Sequence, residues 1–481
     1  MNHPDYETVI GLEVHAELCT KTKIFCGCKN AFGAEPNTLC CPVCMGLPGT
    51  LPVLNSQVVD YAIQMGHALH CTINRVSRHD RKNYFYPDLP KAYQISQFDV
   101  PLCGRGYLDM LLDGSVRRIG ITRIQIEEDA GKLVHDDPSD STWIDFNRCC
   151  VPLIEIVSEP ELRSAGEAKA FLETITGILR YLGISDAKMQ EGSVRADVNV
   201  SVRPYGQQKP GTRTEMKNIS SFGAVYRAIQ YEAQRQISVL RNGGFIERET
   251  RRWNDAKGES SVMRTKEDAQ DYRFFPDPDL LAFEVSEAHV QALKEAIPEL
   301  PVPKALRYRN EYGLSVADAQ LLASSRTRSE FFDSCAALKK CDPKLISNWM
   351  IGEIARILHE RGIEITDTAL SAENLTALVA LIEQGTISNT AAKTMLDAIL
   401  ERDIAPAKLV AEMGLAQISD SDALLKIVND VLGQNEKAVS DYKKGKTNAL
   451  GFLVGQCMRA SKGKGNPALL REMILSAIEK K

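Results

Sequence analysis

A chain of 481 residues with 44% hydrophobic and 25% charged residues has the make-up of an ordinary globular protein, with length for roughly three domains. No apolar run is long enough to span a bilayer, and the start Met1-Asn2-His3-Pro4-Asp5-Tyr6-Glu7 lacks the basic and apolar stretches of an export signal. The expected location is therefore cytoplasmic, with no membrane involved. A net charge of −5 excludes a general attraction to nucleic acid, though not a local patch.

Residues 9–18 alternate strictly. Ile10, Leu12, Val14, Ala16 and Leu18 form one set, and Glu13, His15 and Glu17 fall in the other. Such a strand buries one face and gathers two carboxylates and an imidazole on the other. The polar face is either simply solvated or held together by a divalent cation, since close carboxylates repel.

Six of the 13 cysteines lie within the first tenth of the chain. In the absence of an export signal this clustering points to metal rather than disulfides. Cys26-Gly-Cys28 and Cys41-Pro-Val-Cys44 can bring four thiolates to one ion, as structural zinc sites do, with Cys40 an alternative fourth ligand. The spacing of Val58, Ala62, Met65 and Leu69 predicts a helix over 53–71. The stretch 80–94, with two prolines and aromatics among cations, is a loop. It either stacks a base and holds phosphates or anchors on the core.

Strand patterns follow at 118–126, 151–157 and 194–202. The first runs into Glu127-Glu128-Asp129, which is an oxygen cluster for a hard cation or simply a turn. The second carries Glu155 inside an apolar run, and the third sets Arg195, Asp197, Asn199 and Ser201 on one face. If these strands share a sheet with 9–18, Glu13, His15, Glu127, Glu128, Glu155 and Asp197 line one cavity. That donor set suits Mg²⁺ or Mn²⁺ better than zinc. Lys82, Lys91, Lys132, Arg148 and Arg195 could hold phosphates bridged by the metal. Neither a P-loop nor a Rossmann glycine motif occurs in the sequence.

Helical patterns occupy 166–182 and 222–240. Pro298, Pro301 and Pro303 mark a boundary, 304–405 reads as helical, and Pro406 opens a third unit. From Lys437 onward, ten basic residues face only three acidic ones. This is a polyanion footprint or a solvated helical surface.

Several long motifs together resemble the B-subunit family of the aspartyl/glutamyl-tRNA(Asn/Gln) amidotransferases. They are residues 7–15, the loop 80–94, Glu127-Glu128-Asp129-Ala130-Gly131-Lys132, the stretches 153–160 and 192–199, Asp271-Tyr272-Arg273-Phe274-Phe275-Pro276 and 451–456. The resemblance implies an α+β architecture: a cradle-shaped mixed-sheet catalytic domain over 1–293 with a zinc element at 26–44, an all-α domain over 294–405, and a small helical tail over 406–481 that grips tRNA. It implies ATP-dependent phosphorylation of the side-chain carboxylate of Glu-tRNA(Gln) or Asp-tRNA(Asn). Amidation then follows, with ammonia supplied by the amidase, or A-type, component of a complex that also holds a small C-type component. On this resemblance Glu13, His15, Glu128 and Glu155 are the Mg²⁺ shell, with Glu127 and Asp197 nearby, and Cys26, Cys28, Cys41 and Cys44 hold Zn²⁺. Two other readings are a zinc-ribbon RNA-binding module without catalysis and a metal-dependent hydrolase of a small substrate. Massed carboxylates argue against the first and the basic tail against the second.

Overall fold

A computed structural model describes residues 5–136, 140–265, 271–416, 421–461 and 464–479. It divides into two compact units, Met1–Lys304 and Ala305–Lys481.

The first unit is α+β and is built on an eight-stranded mixed sheet. Its strands are β1 (Tyr6–Glu17), β2 (Gly106–Leu112), β3 (Ser115–Glu128), β4 (Pro152–Ser158), β5 (Val194–Pro204), β6 (Thr214–Lys217), β7 (Glu249–Asn254) and β8 (Glu259–Thr265). They lie in the order β8-β7-β6-β5-β1-β4-β3-β2, so the strand with the Glu-His-Glu pattern sits near the centre. Every neighbouring pair is antiparallel except β6 and β7.

Alternation dictates the two faces. Ile10, Leu12, Val14 and Ala16 of β1 and Val194, Ala196, Val198 and Val200 of β5 are all buried. Burying each large aliphatic side chain contributes about 1.5–3 kcal/mol. The helices α1 (Ser56–Ala68), α2 (Ala165–Leu182) and α3 (Phe222–Arg241) share this core through Ala62 and Ile63, Phe171 and Ile175, and Val225 and Ile229. Asn55, Ser164 and Ser221 cap them, each side chain accepting from a backbone N–H of the first turn. The helix expected over 53–71 is three residues shorter at each end, because Pro52 to Asn55 form an extended approach to the cap.

The second unit is helical among its described residues. The division after Lys304 falls beside the prolines read as a boundary, and Pro301 and Pro303 begin the helix Pro301–Tyr312, where a missing N–H costs nothing. At the C-terminal end, helices Ser421–Gln434, Asn448–Ala460 and Pro467–Glu479 share a core of Leu424, Val428, Leu453, Cys457, Leu470 and Ile474. Lys437, Lys443, Lys444, Lys446, Arg459, Lys464 and Arg471 are exposed. Lys462, Lys480 and Lys481 lie outside the described residues. No helix of the described residues is long and apolar enough to cross a membrane.

Candidate functional site

Register brings the acidic side chains together on the sheet face opposite the helices. Across β1 and β5, Glu13 pairs with Asp197 and His15 with Arg195. On the other side His15 pairs with Glu155 of β4, and Glu155 in turn pairs with Gln125 of β3. Four strands therefore deliver one continuous polar strip.

Two donor sets emerge. His15, Glu127 and Glu155 have ligand atoms within 4.8 Å of one another, and so do Glu13, Asp197 and Glu215. Such separations are close to the roughly 4 Å that spans an octahedral Mg²⁺ shell. In the first set His15 Nε2 lies 3.3 Å from Glu155 Oε2. Glu127 accepts from Ser96 Oγ at 2.7 Å and Gln125 Nε2 at 2.6 Å. In the second set Asn199 Nδ2 donates to Glu13 Oε1 at 3.0 Å, and Lys217 Nζ reaches Asp197 at 2.5 Å and Glu215 at 3.2 Å.

Crowding of like charge leaves its mark on proton affinity. Burial, reinforced by Glu155, pushes the Glu13 and Glu127 carboxyls above their usual range. For His15, burial opposes the charge, but Glu155 with Glu127 and Asp197 behind it holds the imidazole above its ordinary value. Glu155 is buried too, yet its hydrogen bond to His15 holds it below the carboxylate range. Glu17, beside buried Asp129, is raised to about 8, with burial the main cause.

Glu128 departs from the expected metal shell. Its carboxylate faces the other way, accepting from Lys91 Nζ, from Ile95 N at 2.8 Å and from the Cys150 thiol at 2.9 Å. A register shift between Ile121 and Arg123 is the physical reason. Before this irregularity Ile119 and Ile121 point into the core; after it Ile124 and Ile126 do, so Glu128 follows the core parity and Glu127 the polar one. The pair Ile124 and Ile126 was the signal for this in the sequence.

The expected cations scatter. Lys82 sits 5.0 Å from the Tyr272 ring and electrostatically favours the ionised forms of Glu127 and Glu155. Arg195 and Arg148 both hold Asp129, at 2.5 and 3.6 Å. Lys91 is committed to Glu128, and exposed Lys132 begins the separate hairpin Lys132–Asp136 with Ser141–Asp145. Sequence reasoning missed Glu215 and Lys217, which lie on a strand of only four residues.

Cys26, Cys28, Cys41 and Cys44 converge with their Sγ atoms within 4.8 Å. Cys41 and Cys44 Sγ are 3.9 Å apart, close to the roughly 3.8 Å edge of a tetrahedron with 2.3 Å zinc–sulfur bonds. Cys40 stands outside the set, its thiol donating to Asn37 O at 3.2 Å. Asn37 also takes up Asp145 and Ile144, which fastens the cysteine loop to the hairpin.

Comparison with known proteins adds the following. The family model described as GatB/GatE catalytic domain matches residues 8–291, and the one described as GatB domain matches 330–478. A Caldicellulosiruptor saccharolyticus protein is 54% identical over 479 residues, covering 99% of this chain and 100% of its own. A Thermoanaerobacter sp. (strain X514) protein is 52% identical over 475 residues, with 99% and 100% covered. A Geotalea daltonii protein is 51% identical over 478 residues, with the same coverage. Each of the three is named as the B subunit of an aspartyl/glutamyl-tRNA(Asn/Gln) amidotransferase.

Proposed function

We propose, because this chain belongs to the B-subunit family of the aspartyl/glutamyl-tRNA(Asn/Gln) amidotransferases, that the acidic strip is where a tRNA-borne carboxylate is activated. The chain is one component of a glutamine-dependent, ATP-using ligase acting within a multi-subunit complex. Its reaction converts Glu-tRNA(Gln) or Asp-tRNA(Asn) to the amide, with the A-type amidase and the small C-type component as its partners in the cytoplasm. The domain limits of the sequence reading, 1–293, 294–405 and 406–481, belong to this proposal.

One observation carries the reading: His15, Glu127 and Glu155 form a compact donor set beside Glu13, Asp197 and Glu215 on a single sheet face. These residues would hold Mg²⁺, whose charge would offset the burial and the neighbouring Glu155 that raise the Glu13 and Glu127 carboxyls. Bound there beside ATP, the ion would supply charge neutralisation for phosphoryl transfer. A carboxylate anion resists attack by ammonia, and phosphorylation gives it a leaving group. The chain's own part is to position and to balance charge. Lys82 on one side and Lys217 on the other flank the strip, and Arg195 and Arg148 are kept beside it by Asp129.

The Cys26, Cys28, Cys41 and Cys44 set suits Zn²⁺ and leaves no open position, so its part is structural. The exposed Lys437, Lys443, Lys444, Lys446 and Lys464 suit the tRNA backbone. ADP release by the reconstituted complex with each mischarged tRNA tests the reading. Release that is independent of mischarged tRNA, or absent with both, would overturn it.

A further inference from the structure

Lys23 is almost wholly buried, at 1% exposure, and among the described residues no carboxylate pairs with it. Its Nζ lies 3.8 Å from Cys44 Sγ. An ammonium taken out of water without an anion is strongly disfavoured, so a partner charge has to come from the sulfurs. Four thiolates on one Zn²⁺ supply it, because such a centre carries more negative than positive charge.

The backbone places this side chain with care. Lys23 N donates to Cys28 O at 2.9 Å, closing the loop that presents Cys26 and Cys28. The next residue, Ile24, donates to Cys150 O at 3.0 Å and so fixes this segment against the body of the domain. Cys44 is the buried member of the four, and it also accepts from Cys41 N at 2.9 Å. One sulfur therefore receives both an N–H dipole and a full positive charge.

We propose that Lys23 is the internal counter-ion of the four-cysteine centre, a positioning residue whose buried ammonium sets how firmly the metal is held. The inference rests on those cysteines holding zinc. It also predicts an unusual pair of effects. With metal bound the cation faces the whole negative centre and strengthens retention, whereas without metal it keeps only the Cys44 sulfur beside it. Removing it weakens the loaded form more than the empty one. A side chain that served only to fill space would weaken both alike.

The test uses the full-length chain, zinc content per chain, competition with a chromogenic chelator, and thermal melts before and after metal removal. Wild-type protein is expected to carry one zinc. Lys23→Met is expected to release it at about 10-fold to 100-fold lower chelator concentration, the range seen when groups around a metal's ligands are changed. Lys23→Arg, which keeps the charge, retains zinc within a few-fold of wild type. Once stripped, Lys23→Met is expected to fall short of wild type in melting temperature by less than it does with zinc bound. Lys23→Gln, which keeps a polar end without charge, is expected to follow Met and serves if the Met variant does not accumulate. Chelator resistance equal to wild type in both neutral variants, or equal destabilisation with and without metal, would overturn the inference. Wild-type protein without zinc would instead remove the metal reading beneath it.

Discussion

Glu127 and Glu128 are consecutive in the chain and belong to opposite sides of the same strand. Glu127 meets Ser96, Gln125 and the His15–Glu155 pair, while Glu128 accepts from Lys91, Ile95 N and Cys150. Two acids with one sequence signature thus sit in two different environments.

Replacing Glu127 by Gln, or His15 by Ala, removes a donor from the first set. Either change is expected to lower tRNA-dependent ADP formation by about 100-fold or more, with tRNA affinity little changed. Steady-state ADP release alongside filter binding of mischarged tRNA checks this. Near-normal turnover in both variants would remove that donor set from the chemistry.

Glu128→Gln acts differently. It leaves Lys91 buried without its carboxylate, and breaking such a pair costs about 3 kcal/mol or more. Urea unfolding should register the loss, whereas Mn²⁺ binding at the acidic strip should stay at the wild-type level. Weakened Mn²⁺ binding at full stability would put Glu128 back in the metal shell.

For Cys26→Ala the expected result is loss of bound zinc and a lower melting temperature, with residual turnover falling only as far as folded protein is lost. Metal analysis and thermal melts decide it. A variant with full zinc and an unchanged melt would exclude Cys26 as a ligand.

Changing Lys443, Lys444 and Lys446 together to Gln should weaken binding of all tRNA substrates alike. The slope of log affinity against log salt should flatten by about 0.7–0.9 for each phosphate no longer neutralised. A salt dependence identical to wild type would count against this surface as the grip.

His79 gives a pH signature. Burial depresses its pKa to about 4, with neither ring nitrogen hydrogen-bonded among the described residues and the ring set against Phe25 and Phe283. Below its unfolded value of about 6.5 the unfolded chain takes up a proton that the folded one refuses. Stability contributed by neutral His79 is therefore whole above that pH and drains away as pH falls toward about 4, a loss of about 3 kcal/mol. Urea unfolding of wild type and His79→Phe across this window should show a shallower decline in the variant. Parallel curves would rule the imidazole out as the cause.

Much of the sheet was legible because its strands alternate cleanly. Ile10 to Leu18 and Val194 to Val202 each declare a buried face, and Glu13, His15 and Asp197 follow from it. The four cysteines were equally readable from their spacing, although the exclusion of Cys40 needed its bond to Asn37 O. Strand order was beyond reach. Glu215 and Lys217 enter the strip only because a four-residue strand pairs with β5, a pairing with no local signal. The division of labour between Glu127 and Glu128 turned on the irregularity at Ile121–Arg123, which inverts the parity of everything after it.

That acidic strip also constrains how the protein can evolve. Burial, reinforced by Glu155, makes the ionised Glu13 carboxylate costly to keep, so Glu13→Gln should tighten the ion-free fold, whereas Glu155, held ionised by His15, supports it. A search for heat-resistant variants that ignored turnover would accept changes at Glu13 and reject them at Glu155. Robustness that keeps the acidic strip whole has to come from elsewhere in the chain.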